Sequence, residues 1–173
     1  MSIYRDQLYY DNSNNTLVCD ANLSCSGVLE NKKYFISSTV SATQSIPSGT
    51  ATAIAFTADT RTNWPTRADN TQFVAPVAGT YLVSVQAGYA TAPGTAGVNK
   101  LLVFKNTDLI GTQQFSYETE IGIFNWSGVV TMDGDDDYIE VKLEQSSGGA
   151  VNAGGTLGDG GNINKVTIDR LHS

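Results

Sequence analysis

The sequence predicts an all-β protein: a two-sheet antiparallel jelly-roll sandwich with a short N-terminal arm. Three observations carry this. The chain has 173 residues with Gly 17 and only 16% charged residues, which suits a protein of many turns. No window sustains apolar residues at spacings of three and four, so no long helix is expected. And the stretch from Gln72 to Tyr89 alternates in its second half: Tyr81, Val83, Val85 and Ala87 fall on one side, with Leu82, Ser84, Gln86 and Gly88 on the other. Successive side chains of a strand point to opposite faces, so this segment is a strand with one face in a core. The length is that of about one domain with a single sizeable core.

Taken in order, residues 1–32 form the arm. Asp11-Asn-Ser-Asn-Asn-Thr16 is polar and turn-forming. The apolar residues around it are too scattered for an independent core, so the arm is expected to dock on its own domain, a sister subunit or a partner surface. The domain proper is expected over 33–173. Tyr34 to Val40 reads as the first strand, and Thr50 to Thr57 as the second. Thr60 to Asn70 reads as a loop, with Trp64 more plausible as a cap on the end of a sandwich than as a binding anchor. Phe73 closes a short strand, and Pro76 to Gly79 turns the chain, because proline cannot donate to a ladder and glycine opens a turn. The bend places Phe73 and Tyr81 in one core. Ala92 to Gly97 reads as a flexible turn. Lys100 to Lys105 and Leu109 to Phe115 make a hairpin about Asn106-Thr-Asp108. Glu118 to Met132 is extended, with Ile121, Ile123 and Trp126 the candidates for burial. Tyr138 to Glu144 alternates. Ser146 to Gly161 is Gly-rich and reads as one long loop. Lys165 to Leu171 closes the sheet, for eight to ten short strands in all.

Phe73, five residues, Gly79, one residue and Tyr81 resembles the signature of the C1q globular-head family, related in fold to tumour necrosis factor. The chain departs from that family at Val83 and Val85, where aromatics are usual. Ile46-Pro47 followed by Thr50 to Phe56 resembles the second strand of microbial and viral members, and Lys165 to His172 resembles their closing strand. The resemblance covers residues 33–173. It implies a jelly roll that assembles as a homotrimer, with Phe73, Gly79 and Tyr81 in the family-motif core.

The charge is -7, which argues against nucleic-acid or anionic-membrane partners, since phosphate binding needs a basic surface. No segment approaches the about 20 apolar residues of a membrane span, and the N-terminus has no apolar run of signal-peptide length, so assembly in a host cytoplasm is expected. Cys19 and Cys25 do not make a zinc site, because one histidine leaves it short of ligands; assembly in a cytoplasm favours ordinary thiols, with a local disulfide after release as the alternative. Asp133-Gly-Asp-Asp-Asp137 invites calcium, but it lacks the distal Glu of a helical calcium loop, and Asp-Gly is the ordinary hairpin signal. No nucleophile elbow or phosphate-cradling loop is present, and His172 is poorly placed for a base. No enzyme, metal or cofactor is therefore expected.

The function these readings lead to is that of a virion structural protein, a trimeric capsid decoration or head-spike protein of a bacteriophage. It would be held on a capsid or other virion protein by the arm, with Ile3, Tyr4, Leu8, Tyr9 and Tyr10 as contacts. The alternative is a receptor- or glycan-binding knob of a viral tail fibre or spike, binding a host-surface glycan.

Overall fold

A computed structural model describes residues 8–11, 16–19, 33–65, 67, 69–90, 97–117, 122–154 and 163–172. The chain divides into two compact units, Met1–Lys32 and Lys33–Ser173. In the first, β1 (Leu8–Asp11) and β2 (Thr16–Cys19) pair antiparallel, with Tyr9 opposite Val18 and Tyr10 opposite Leu17. The sequence reading took this region only as apolar patches about a polar turn. Those patches flank Asn12 to Asn15, and the backbone joins them as a hairpin. Ile3, Tyr4 and Cys25 lie outside the described residues.

The second unit runs β3 (Phe35–Thr39), β4 (Gln44–Ile46), β5 (Thr52–Ala53), β6 (Ala58–Thr62), β7 (Gln72–Val74), β8 (Gly79–Gly88), β9 (Gly97–Lys105), β10 (Asp108–Tyr117), β11 (Ile123–Met132), β12 (Tyr138–Gln145), β13 (Val151–Ala153) and β14 (Lys165–His172). One sheet has the order β10-β9-β12-β5, with β7 also on β12; the other runs β11-β8-β14-β3-β6, and β13 pairs with β4 apart from both. All these pairings are antiparallel. The class is the all-β jelly-roll sandwich expected. There are more strands than expected because β4, β5 and β13 are only two or three residues long.

Inward faces of the two sheets meet as the alternation requires. Tyr81, Val83 and Ala87 of β8 are fully buried opposite Leu101, Val103, Ile139, Val141 and Leu143 of the other sheet. Phe73 and Tyr81 share this core. The Phe56 and Phe73 rings lie 5.6 Å apart, and Trp64 sets its edge on Tyr81 at 5.7 Å. Trp64 is 7% exposed and donates from Nε1 to Val74 O at 2.9 Å. It caps the sandwich, as buried tryptophans with a satisfied N–H do.

Four elements differ from the sequence reading. Thr50 to Thr57 is mostly irregular: only Thr52–Ala53 pairs, although Ile54 and Phe56 still point into the core. Thr60 to Thr62 belongs to β6, not to a loop; its polar side chains hid a strand that buries almost nothing. In β11 Phe124 and Met132 are the fully buried residues, while Ile123 and Trp126 are half-buried and Ile121 lies outside the described residues. The Gly-rich segment after Gln145 is broken by β13. The remaining expected turn, 92–96, also lies outside the described residues.

Antiparallel order sorts the connections to two ends. At one, the turn end, lie residues 75–78, 106–107 and 133–137, tied together by Ala75 N→Asp137 O at 2.9 Å and Asn106 N→Tyr138 O at 2.9 Å. At the other, the loop end, lie the connections β8–β9, β10–β11, β12–β13 and β13–β14. The turn end has no spare room. Gly134 sits at φ +80 beneath the bend, where an added Cβ would fall 2.0 Å from Val77 C. Gly79, by contrast, was expected to need a glycine conformation and does not: among the described residues the positive-φ glycines are Gly49, Gly134, Gly148 and Gly154. Gly79 is instead the first β8 residue, paired with Met132.

Gly134→Ala is therefore expected to destabilise by at least about 2 kcal/mol, because it combines a left-handed backbone with a backbone clash. Tyr81→Ala is expected to cost on the order of 3–5 kcal/mol as a cavity. Tyr81→Phe should cost about 1 kcal/mol, for the bond from its hydroxyl to Val77 O. Denaturant titration of the three variants checks both the sizes and their order.

Candidate functional site

The outward face of the β11-β8-β14-β3-β6 sheet is the most structured open surface among the described residues. Pairing in register lays its side chains in cross-strand rows. One row is Val129, Leu82, Asp169 and Phe35; the next is Ser127, Ser84, Thr167, Ser37 and Arg61; the third is Asn125, Gln86, Lys165 and Thr39. Val129 is 64% exposed, the most open large apolar side chain described. The middle row consists largely of hydroxyls: Ser84 and Ser127 Oγ lie 3.2 Å apart, and Thr167 Oγ1 donates to Ser37 Oγ at 3.4 Å. At the row's end Arg61 moves onto the Phe35 ring, 4.4 Å from its centroid. These short side chains leave a shallow groove of about 380 Å³, lined by Ser84, Gln86, Asn125, Ser127, Lys165 and Thr167.

The free edges of the two sheets close on each other beside this face. The indole of Trp126 lies over Gly111 of β10 and Gly128 of its own strand; a Cβ at Gly111 would meet Trp126 Nε1 at 2.2 Å. Gln113 Oε1 accepts from the Asn125 backbone N–H at 2.9 Å. A side chain of one edge strand thus satisfies a ladder donor of the other, which protects both from outside strands.

The acidic loop is committed elsewhere. Asp137 is buried; its carboxylate pairs with Lys105 Nζ at 2.8 Å and accepts from Asn106 Nδ2 at 2.7 Å and from Asp133 N at 2.9 Å. Asp133 Oδ1 in turn accepts from the Asp135 and Asp137 backbone. Asp133, Asp136 and Asp137 bring carboxylate oxygens within 4.8 Å of one another. The loop nevertheless folds on its own hydrogen bonds, and a cation there would have to displace Lys105. This arrangement does the work of a clamp between the β9–β10 and β11–β12 turns.

Sequence reasoning missed Arg67. Its side chain is 6% exposed and pairs with Asp59 at 2.8 Å. It also donates to Phe56 O at 2.7 Å and Asn70 O at 3.2 Å, and covers the Phe73 ring at 4.4 Å. It is a structural tie across the 57–70 segment. Its only signal in the sequence was a lone basic residue between Trp64 and Phe73. Of the residues expected to act together, Phe73 and Tyr81 lie in one core. Leu8, Tyr9 and Tyr10 lie together on β1 in the separate unit.

No protein-family model matches this chain, and no curated protein matches it by sequence. Solved structures do match it in shape. Murine APRIL superposes with a TM-score of 0.56 at 12% identity, over 81% of this chain and 100% of that one. Eiger TNF from S. frugiperda gives 0.53 at 9% identity, over 82% and 92%. The globular domain of zebrafish complement 1qA gives 0.49 at 12% identity, over 80% and 96%. The likeness to the first two shows that the fold is the jelly roll of the tumour necrosis factor type.

Asp137 sets a pH dependence. The bonds from Lys105 and Asn106 hold its carboxyl below the ordinary 3.8. A carboxylate with a lowered folded pKa contributes stability that is present above the unfolded value and is lost as pH falls through the folded one. The melting temperature is thus expected to fall as the pH is taken below about 4. In Asp137→Asn the protein starts less stable and the acid limb is shallower. Thermal melts across a pH series read both.

Proposed function

We propose that this protein is a non-enzymatic homotrimeric building block of a virion surface, a capsid decoration or head-spike protein held by its N-terminal arm. The observation that carries the trimer is the exposed sheet face. Val129 stands 64% exposed in register with half-buried Leu82, beside rows of short hydroxyl side chains that let another surface approach closely. A second copy of the chain is the fitting occupant. Closed symmetry repeats one such contact around an axis and leaves no face open. The jelly-roll fold supports the same reading.

The arm supports the attachment. Its described part is a two-stranded hairpin, and such a hairpin alone is marginal in water. It therefore gains stability from a surface, and Tyr9 and Tyr10 supply the aromatic contacts that dominate small interfaces. Three arms on one trimer act at high effective concentration, so avidity exceeds one arm's affinity by about 10²–10⁴. A single weak arm would thus suffice on each subunit.

Light scattering of the full chain is expected to give about three times 18.4 kDa. Val129→Lys is expected to shift it to monomer with an unchanged far-ultraviolet spectrum, since Val129 makes no core contact. A concentration-independent monomer for the wild type would overturn the trimer. In a separate test, truncation of residues 1–32 is expected to leave the jelly roll folded. Sedimentation with particles lacking the protein should then recover the full chain and not the truncated one. Equal recovery of the two would overturn the arm as anchor.

A further inference from the structure

The loop end of the core is closed by a layer of buried amides. Asn164 accepts from Gly88 N at 2.8 Å through Oδ1 and donates to Gly88 O at 3.3 Å. Gln145, fully buried, donates from Nε2 to Ile46 O at 3.0 Å and to Gly149 O at 2.6 Å. Its Oε1 accepts from Ser147 N at 2.7 Å and Ser147 Oγ at 2.6 Å. Tyr89, also fully buried, gives its hydroxyl proton to Glu144 O at 2.8 Å. Each of these side chains has its polar atoms paired. Asn99 does not. It is 1% exposed, and neither its Nδ2 nor its Oδ1 has a hydrogen-bond partner.

The position explains why this matters. Asn99 lies on β9 directly between Phe115 of β10 and Gln145 of β12. In the alternation of β9 it falls on the same side as buried Leu101 and Val103, so its amide is directed into the sandwich and not towards solvent. The wall there is aromatic: the Phe115 and Phe124 rings are 5.3 Å apart, and Tyr89 meets Phe124 at 6.4 Å. A dry amide in such surroundings forfeits the hydrogen bonds that water gives it in the unfolded chain. Buried polar groups in native proteins are paired with protein or with ordered water in the great majority of cases.

We propose that Asn99 is the ligand of an enclosed structural water at the loop end of the core. The amide offers the water one acceptor and donor hydrogens. Tyr89 Oη bonds to Glu144 O, one residue before Gln145, the cross-strand partner of Asn99; with its proton so committed, it has lone pairs left to accept from a water held between them. Water is the ligand class that fits: the site asks for a small group that both donates and accepts, and two to four polar partners are what a buried water uses. The water joins β9, through Asn99, to the segment after β8, through Tyr89, and so ties the two sheets beside the buried amides.

The test is magnetisation transfer from water to the Asn99 side-chain amide in the full-length, 15N-labelled protein, with the resonance assigned by its loss in Asn99→Asp. The expected result is a cross-peak with the sign of a water held longer than the molecule's tumbling time. Asn99→Leu, which matches the volume and cannot hold the water, is then expected to lower the melting temperature. Absence of the cross-peak together with a higher melting temperature for Asn99→Leu would overturn the proposal, since it would show a dry amide that costs stability. If Asn99→Leu does not fold, the wild-type spectrum alone decides.

Discussion

Tyr81 is the point on which the turn end of the molecule converges. Its backbone pairs on one side with Val130 of β11 and on the other with Arg170 of β14. Its ring receives the edge of Trp64, and its hydroxyl closes the bend by donating to Val77 O at 2.6 Å. Burial raises the phenol's pKa, so the group stays a neutral donor across the ordinary pH range. The bend that it closes lies directly on Gly134, which belongs to the acidic loop, and that loop is in turn clamped by Asp137 to the β9–β10 turn. One aromatic side chain thus couples strand pairing within a sheet to the connections that join the two sheets. The loss of such a residue is felt through packing, a buried hydrogen bond and a turn at once, so its effects are not additive with those of its neighbours.

A second tie, by Arg67, works by different physics. A buried guanidinium is costly unless its donors are satisfied and its charge is met. Here Asp59 meets the charge, backbone carbonyls take donors of the two terminal nitrogens, and the Phe73 ring lies against its flat face, which leaves the buried Nε as the one nitrogen without a partner. That geometry suits arginine and not lysine, whose ammonium cannot present a planar fork. The segment from Thr57 to Asn70 has little apolar content of its own; beyond the pairing of β6 with β3, this side chain and Trp64 tie it to the sandwich.

Much of this fold was legible because it follows period-two alternation. β8 and β12 were read from side chains that alternate, the β9–β10 hairpin from its turn residues, β14 from the family resemblance of the closing strand, and the core role of Phe73 and Tyr81 from their flanking turn residues. What was not legible has a common cause: pairing partners far away in sequence. β6 has exposed threonines and charges on a sheet edge, so nothing in Ala58–Thr62 reports that β3 lies beside it. β13 is three residues in a Gly-rich stretch and exists because Gln44–Ile46 is there to pair with it. The candidate face shows the same limit. Ser84, Ser127 and Thr167 are unremarkable serines and threonines in three separate segments; only the register of β11, β8 and β14 makes them neighbours. Asp133 to Asp137 was conspicuous in sequence, yet its buried member meets Lys105 and Asn106, which alternation rules do not place near it.

The unequal treatment of the two ends of the sandwich determines where the chain can change in length. At the turn end an added residue would have to enter where Gly134 already touches backbone, and the strands on both sides would lose register. At the loop end, Gly148 and Gly149 face open space, with nothing within 4 Å of a Cβ added to either. Lengthening a connection there costs mainly closure entropy, about 0.6 kcal/mol for each doubling. The sandwich is therefore fixed in length beneath the bend and can lengthen beside Gly148, so long as Gly149 O keeps its bond from buried Gln145.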